Sequence, residues 1–248
     1  LCLFFYFPVV FAGNMKLYYE RPAEYFEEAL VIGNGTMGAT LYGGVKKDKI
    51  SFNDITLWTG EPESENSSPD AFNVIPEIRA LLDNEDYQGA DKAQYKVQGH
   101  YSENYQPLGT LTIEYLDDTA GVSDYHRWLD IGNATARTQY LKDGKLFTSD
   151  YFASAPDSVI VIRLKSENKE GIHASLSFDS PLPHSSQVAD NEISVEGYAA
   201  YHSFPVYYKA EDKHRYDPER GIHFKTLVRV LSVDGSVKDR YSDSRIEI

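Results

Sequence analysis

Alternation of apolar and polar residues dominates the chain. From Leu108 to Leu116, Leu111, Ile113 and Tyr115 share one face. Ser158 to Leu164 repeats this with Ile160, Ile162 and Leu164, and Ile172 to Phe178 with Ile172, Ala174, Leu176 and Phe178. A period of two is the mark of a half-buried strand. Further strands are predicted at Leu17–Tyr19, Ile50–Phe52, Ser123–Ile131, Ala134–Leu141 and Lys145–Phe152, with weaker ones at Glu192–Val195, Pro205–Tyr208, His223–Val233 and Arg245–Ile248. Lys142-Asp143-Gly144 joins two of them as a tight hairpin. Helical spacing is confined to Pro76–Leu82 and Asp86–Val97, where Gly89 weakens the second. Pro22–Ala29 suits a short turn of helix, residues 61–75 a polar loop, and Pro181–His184 a break. About a dozen short strands with frequent turns predict a mainly β fold, a large β-sandwich with a small helical insertion packed on it.

The densest stretch is Ala29–Gly60. Five of the chain's 17 glycines fall between Gly33 and Gly44, beside Asn34, Asn53 and Trp58. So much glycine suggests backbone packed closely against something bound. Gly33-x-Gly35-x-x-Gly38 fits the dinucleotide fingerprint, with Asp54 near the place of a ribose-binding acid. That fingerprint must open a helix. Here Ala39–Tyr42 continues as a strand, so the stretch reads as a glycine-rich hairpin.

This stretch also carries a resemblance. AEYFEEALVIGNGTMGATLYGGV and ISFNDITLWTGEP are followed in order by PEIRALLDNEDYQGADK, YQPLGTLTIEY, DYHRWLDIGNATARTQY and YFASAPDSVIVIRL. The set, from Leu17 to Ser180, resembles the N-terminal domain of family 95 glycoside hydrolases, the α-L-fucosidase family. The resemblance implies a β-sandwich followed by a helical linker and an (α/α)6 barrel. It implies inverting hydrolysis of terminal α-1,2-linked fucose, and relatives acting on α-L-galactosides share it. The family's general acid (a Glu) and its water-activating Asp with Asn partners lie on the barrel, beyond Ile248, so no catalytic residue is expected within this chain. The sandwich would brace that barrel and lend loops 33–38 and 53–60 to the pocket rim.

Composition narrows the partners. The net charge is −14 over 248 residues. That argues against nucleic acid, whose phosphates need Lys and Arg, and against an anionic membrane surface. The aromatic fraction of 13%, with 19 tyrosines, suits sheet faces and also sugar faces. Leu1–Ala12 is apolar and uncharged, too short to span a bilayer. It reads as the remnant of a signal peptide over residues 1–13, with the sandwich domain at 14–248 and export to a periplasmic or extracellular location. A buried N-terminal strand is the other account. Cys2, the single cysteine, lies in that run, so no disulfide framework is expected. The strand-like end at Arg245–Ile248 reads as a truncated domain.

The seven histidines show no metal-ligand spacing, and no G-x-S-x-G nucleophile elbow occurs. No cofactor is expected. Asp130, Asp143 and Asp179 near strand ends suit calcium or ordinary turn chemistry equally. Glu27 and Glu28 are neighbours on a short segment, which suits a solvated turn better than the two flanking carboxyls of a glycosidase. The remaining candidates for substrate binding are Asn34, Asn53, Trp58 and Gln106, with Tyr105. Flat rings suit the apolar face of a sugar and amides its hydroxyls. Trp58 as core and Asn53 as a turn cap is the plainer account. The expected partners are a fucosylated glycan and the chain's own catalytic domain; a non-catalytic carbohydrate-binding sandwich is the alternative.

Overall fold

The computed structural model describes residues 15–62, 70–99, 102–231, 238–242 and 245–248. The proposed leader, Cys2 and His100 lie outside them. The chain forms two compact units. The first comprises residues up to Leu57, Gln106–Tyr198 and His223–Ile248; the second comprises Trp58–Tyr105 and Ala199–Ile222.

The first unit is a sandwich of antiparallel sheets. One sheet has five strands: β1 (Lys16–Tyr19), β6 (Val122–Asp130), β7 (Thr135–Lys142), β8 (Lys145–Ser154) and β9 (Val159–Ser166), in that spatial order. The other has seven, in the order β16 (Lys238–Ser242), β17 (Arg245–Glu247), β10 (Ala174–Asp179), β5 (Gly109–Tyr115), β4 (Lys47–Asp54), β3 (Met37–Leu41) and β2 (Leu30–Gly33). A third sheet orders β11 (His184–Ala189), β12 (Glu192–Tyr198) and β15 (His223–Arg229).

The alternating positions build the core. Leu111, Ile113 and Tyr115 of β5 and Ala174, Leu176 and Phe178 of β10 face inward with Ile50, Leu41 and Ile32. Ala136, Tyr140, Phe147 and Tyr151 come from the five-stranded sheet. Burying a large aliphatic or aromatic side chain stabilises by about 1.5–3 kcal/mol, so this shared layer holds the two sheets together. The β7–β8 turn forms as its sequence predicts: Asp143 (φ 50°) and Gly144 (φ 73°) both take positive φ, as a two-residue type I′ turn requires.

Several elements depart from expectation. Pro205–Tyr208 is a turn, closed by the Tyr208 amide donating to the Pro205 carbonyl at 2.9 Å. β11 occupies much of the stretch after the expected break, because its polar face pairs along the whole length of β12. β4 begins at Lys47, three residues before the strand expected at Ile50–Phe52. The chain forms 17 strands among the described residues, more than the dozen expected.

The second unit holds both helices, α1 (Ala71–Asp83) and α2 (Tyr87–Gln94), and the short pair β13 (His202–Ser203) and β14 (His214–Arg215). α1 starts five residues before Pro76, inside the expected loop, and carries Pro76 in its interior. Gly89 helps α2: the Asp86 carboxylate caps the Gly89 amide at 2.9 Å, and a Cβ there would lie 2.4 Å from that carboxylate. Among the described residues no helix is long and apolar enough to cross a membrane.

Candidate functional site

The glycine-rich stretch packs against the protein itself. A Cβ on Gly43 would lie 2.6 Å from the Tyr125 hydroxyl, and one on Gly44 would lie 2.0 Å from the Lys47 carbonyl. Contacts that short force the neighbour to move, so these glycines admit the chain's own backbone and side chains. No helix follows Gly38, which lies in β3, and the dinucleotide reading is excluded.

The turn between β2 and β3 is organised by Asn34. Its Oδ1 accepts from the Thr36 amide at 3.0 Å and the Met37 amide at 2.8 Å, and its Nδ2 donates to the Ser154 carbonyl at 2.9 Å. The amide group thus staples the hairpin to the end of β8. Asn53, opposite Gly38 in the β3–β4 register, points Oδ1 toward it, 2.7 Å from where a Cβ would stand. Gln106 is buried, and its backbone amide donates to the Leu57 carbonyl at 3.0 Å. These three amides lie in the first unit, within its frame.

Trp58 and Tyr105 belong to the second unit, where they form an isolated antiparallel bridge. Trp58 is 43% exposed and Tyr105 44%, so Trp58 is not a core residue. Their rings meet edge to face, with centroids 6.4 Å apart. The two segments carrying them are held by a polar network that spacing does not reveal. Glu103 accepts from the Ser203 amide at 3.0 Å, contacts His202 Nδ1 at 2.8 Å, and takes a short hydrogen bond from the Thr59 hydroxyl. Ser203 Oγ is 2.8 Å from His214 Nδ1 and accepts from Asn104 Nδ2 at 2.8 Å. A serine bonded to a histidine suggests nucleophilic catalysis. Ser203 is fully buried, though, so no substrate reaches its oxygen. The network is a clamp behind the aromatic pair. Its partners stand 11 to 100 residues apart in sequence, which is why no local motif marks them.

Other ionisable groups are also committed to structure. Glu28 accepts from the Glu24 amide at 3.0 Å and pairs with Arg21, and those bonds lower its pKa. Asp130 accepts from the Asn133 amide at 3.2 Å, a turn contact. Among the described residues no three His, Cys, Asp or Glu side chains gather to hold a metal ion. Asp48 stands on the core face of β4, 1% exposed. Its two oxygens take hydrogen bonds from the Gly44 amide (2.9 Å) and the Tyr151 hydroxyl (2.7 Å). Burial pushes its pKa up to about 6 against the pull of those bonds.

Residues 17–248 match the glycosyl hydrolase family 65 N-terminal domain. The chain belongs to that family. The match runs through the region after Pro181, where the sequence itself carried no diagnostic motif. This family 65-type N-terminal domain is also similar to "Alpha-L-fucosidase 2" of Arabidopsis thaliana, with 31% identity over 231 residues, 90% of the chain and 27% of that protein. It is similar to "Probable alpha-fucosidase A" of Aspergillus niger, with 29% identity over 169 residues, 64% of the chain and 21% of that protein. The domain thus spans about a quarter of the length of these relatives. The α-fucosidase-like character read from the ordered motifs at Leu17–Ser180 agrees with those names.

Proposed function

We propose that this chain is the N-terminal β-sandwich of an exported α-L-fucosidase-type glycoside hydrolase of the family 95 kind, supporting a catalytic helical barrel outside residues 1–248. The observation that carries this reading is the family match over nearly the whole chain together with fucosidase relatives of which it spans only about a quarter. Glycoside hydrolysis needs two carboxyl groups flanking the scissile bond. Asp48, which holds its proton to about pH 6, is closed off by Tyr151 and the Gly44 amide and meets no substrate. The whole protein would cleave terminal α-1,2-fucosyl linkages of a glycan with inversion, releasing β-L-fucose, and the apolar Leu1–Ala12 run would direct its export.

The test is the native gene product. A product several-fold heavier than 28.1 kDa, releasing β-L-fucose first from an α-1,2-fucosylated oligosaccharide by NMR, supports the reading, with residues 1–248 alone inactive. A native product near that mass, or hydrolysis by residues 1–248 alone, refutes it.

The exposed Trp58–Tyr105 pair favours a second reading, a non-catalytic carbohydrate-binding module. Trp58→Ala separates the readings: lost glycan binding with an unchanged circular dichroism spectrum supports a module, and retained binding removes Trp58 from the site.

A further inference from the structure

We infer that one flank of helix α1 is a docking surface for the part of the parent protein outside residues 1–248, and that the surface it meets is an apolar patch edged by basic residues. The inference rests on reading the chain as one domain of a longer glycoside hydrolase; it names where that domain meets the rest.

α1 lacks support of its own. None of its 13 residues is buried. Pro76 in its interior removes a helical hydrogen bond, and Asp70 at its N-cap makes no side-chain cap. A helix in a folded protein draws most of its stability from packing an apolar face. One flank of α1 does reach α2. The Asp86 amide donates to the Leu81 carbonyl at 2.9 Å, and a Cβ on Gly89 would lie 3.1 Å from the Leu81 side chain. Val74, Ile78 and Leu81 on that flank are half-buried.

The adjoining flank is apolar and open. Phe72, Ile75 and Leu82 stand at i, i+3 and i+10, with Arg79 at i+7, so they form one stripe along the helix. Phe72 is 82% exposed, Ile75 39% and Leu82 46%. At about 100° per residue the two flanks together cover about half the circumference. A surface helix with a single packed face needs a narrower stripe than that, so the open flank has the character of a contact surface.

Size and charge choose the occupant. The chain spans about a quarter of its fucosidase relatives, so the remainder of such a parent offers far more surface than the domain itself. A second copy of the chain fits poorly. Asp70, Glu77, Asp83, Glu85 and Asp86 lie on and beside α1, all exposed, and Arg79 is the single cation among them. The whole chain carries −14. A self-interface with two-fold symmetry sets the same patch against itself, carboxylates included. Lys and Arg at the edge of a different surface would pair with those carboxylates while its apolar centre covers the stripe.

The experiment follows hydrogen exchange of the α1 amides by mass spectrometry in the native gene product and in residues 1–248 alone. Exchange about tenfold or more slower in the native product is expected. Phe72→Gln with Leu82→Gln keeps good helix formers at exposed positions. This double variant should abolish the extra protection in the native product and leave the melting of residues 1–248 unchanged. A native product several-fold heavier than 28.1 kDa whose α1 exchanges as fast as in residues 1–248 overturns the inference and leaves the parent reading standing. Protection that survives the double variant overturns it as well. So does a dimer of residues 1–248 in sedimentation that the double variant dissociates, because the stripe then meets a second copy. A native product near 28.1 kDa removes the occupant and overturns both readings together.

Discussion

Replacing Asp48 by Asn should remove a pH dependence that this one carboxyl imposes on the sandwich. Asp48 sits where the strand period of two would place an apolar residue, between the outward-facing Lys47 and Lys49 of β4. The groups that face it are the Tyr151 hydroxyl and the amides of Gly43, Gly44 and Lys49, with the Tyr115 and Tyr140 rings nearby. None is a cation, so desolvation dominates and the folded state holds the proton to about pH 6, against an ordinary 3.8. A folded state that binds the proton more tightly than the unfolded chain loses stability as pH rises between those values. Below about pH 4 both states are protonated; above about pH 6 both are ionised, and the loss is complete. The full change, at about 1.4 kcal/mol per tenfold in proton affinity, is about 3 kcal/mol. Asn keeps a neutral amide in the same space, so its stability carries no such dependence. The assay is native-state hydrogen exchange of the β4 and β5 amides, in wild type and Asp48→Asn, from about pH 4 to pH 8. Exchange at these strands reports the sandwich alone, whatever the second unit does. Taking the difference between the two proteins cancels every other carboxylate. That difference should shift by about 3 kcal/mol in favour of Asn as pH rises. A difference constant to within about 0.5 kcal/mol would show that Asp48 is solvated, or that its hydrogen bonds offset burial fully.

Arg127 is the largest fully buried side chain, and its guanidinium donates to the Arg21 carbonyl at 2.8 Å and the Glu28 carbonyl at 2.9 Å, with the Tyr19 ring 4.2 Å away. Arg127→Met should cost about 3 kcal/mol through two charge-assisted bonds and two orphaned carbonyls, read as a lower urea midpoint and early proteolysis within 21–28; an unchanged midpoint refutes the role. At the β7–β8 turn, Gly144→Val should cost about 1–2 kcal/mol, because φ of 73° is strained for a β-branched residue, whereas Gly132→Ala, at a glycine without positive φ, should be near neutral in the same melts.

The sequence by itself determined the strands whose side chains alternate. β5, β7, β8, β9 and β10 fall where periodicity put them, because an apolar residue at every second position leaves one face with no alternative to burial. It also determined the Asp143-Gly144 turn, whose two residues tolerate positive φ better than others, and the ordered motifs from Leu17 to Ser180 that marked the fucosidase-like family. Asp190 and Asn191, both at positive φ before β12, offered the same turn signal and would have revealed β11. Only the tertiary structure decided the rest. Polar strands such as β11 exist because a partner ladder satisfies their backbone, and that partner is chosen by the fold. Glycines that suggested a ligand proved to admit the chain itself: Gly43 makes room for Tyr125, a contact set by segments brought together across the sheets, and Gly44 for the Lys47 backbone in its own turn. The grouping of Glu103 with His202 and Ser203 and the sealing of Asp48 by Tyr151 both join residues far apart in sequence. No local pattern encodes such meetings; the packing of one sheet on another makes them.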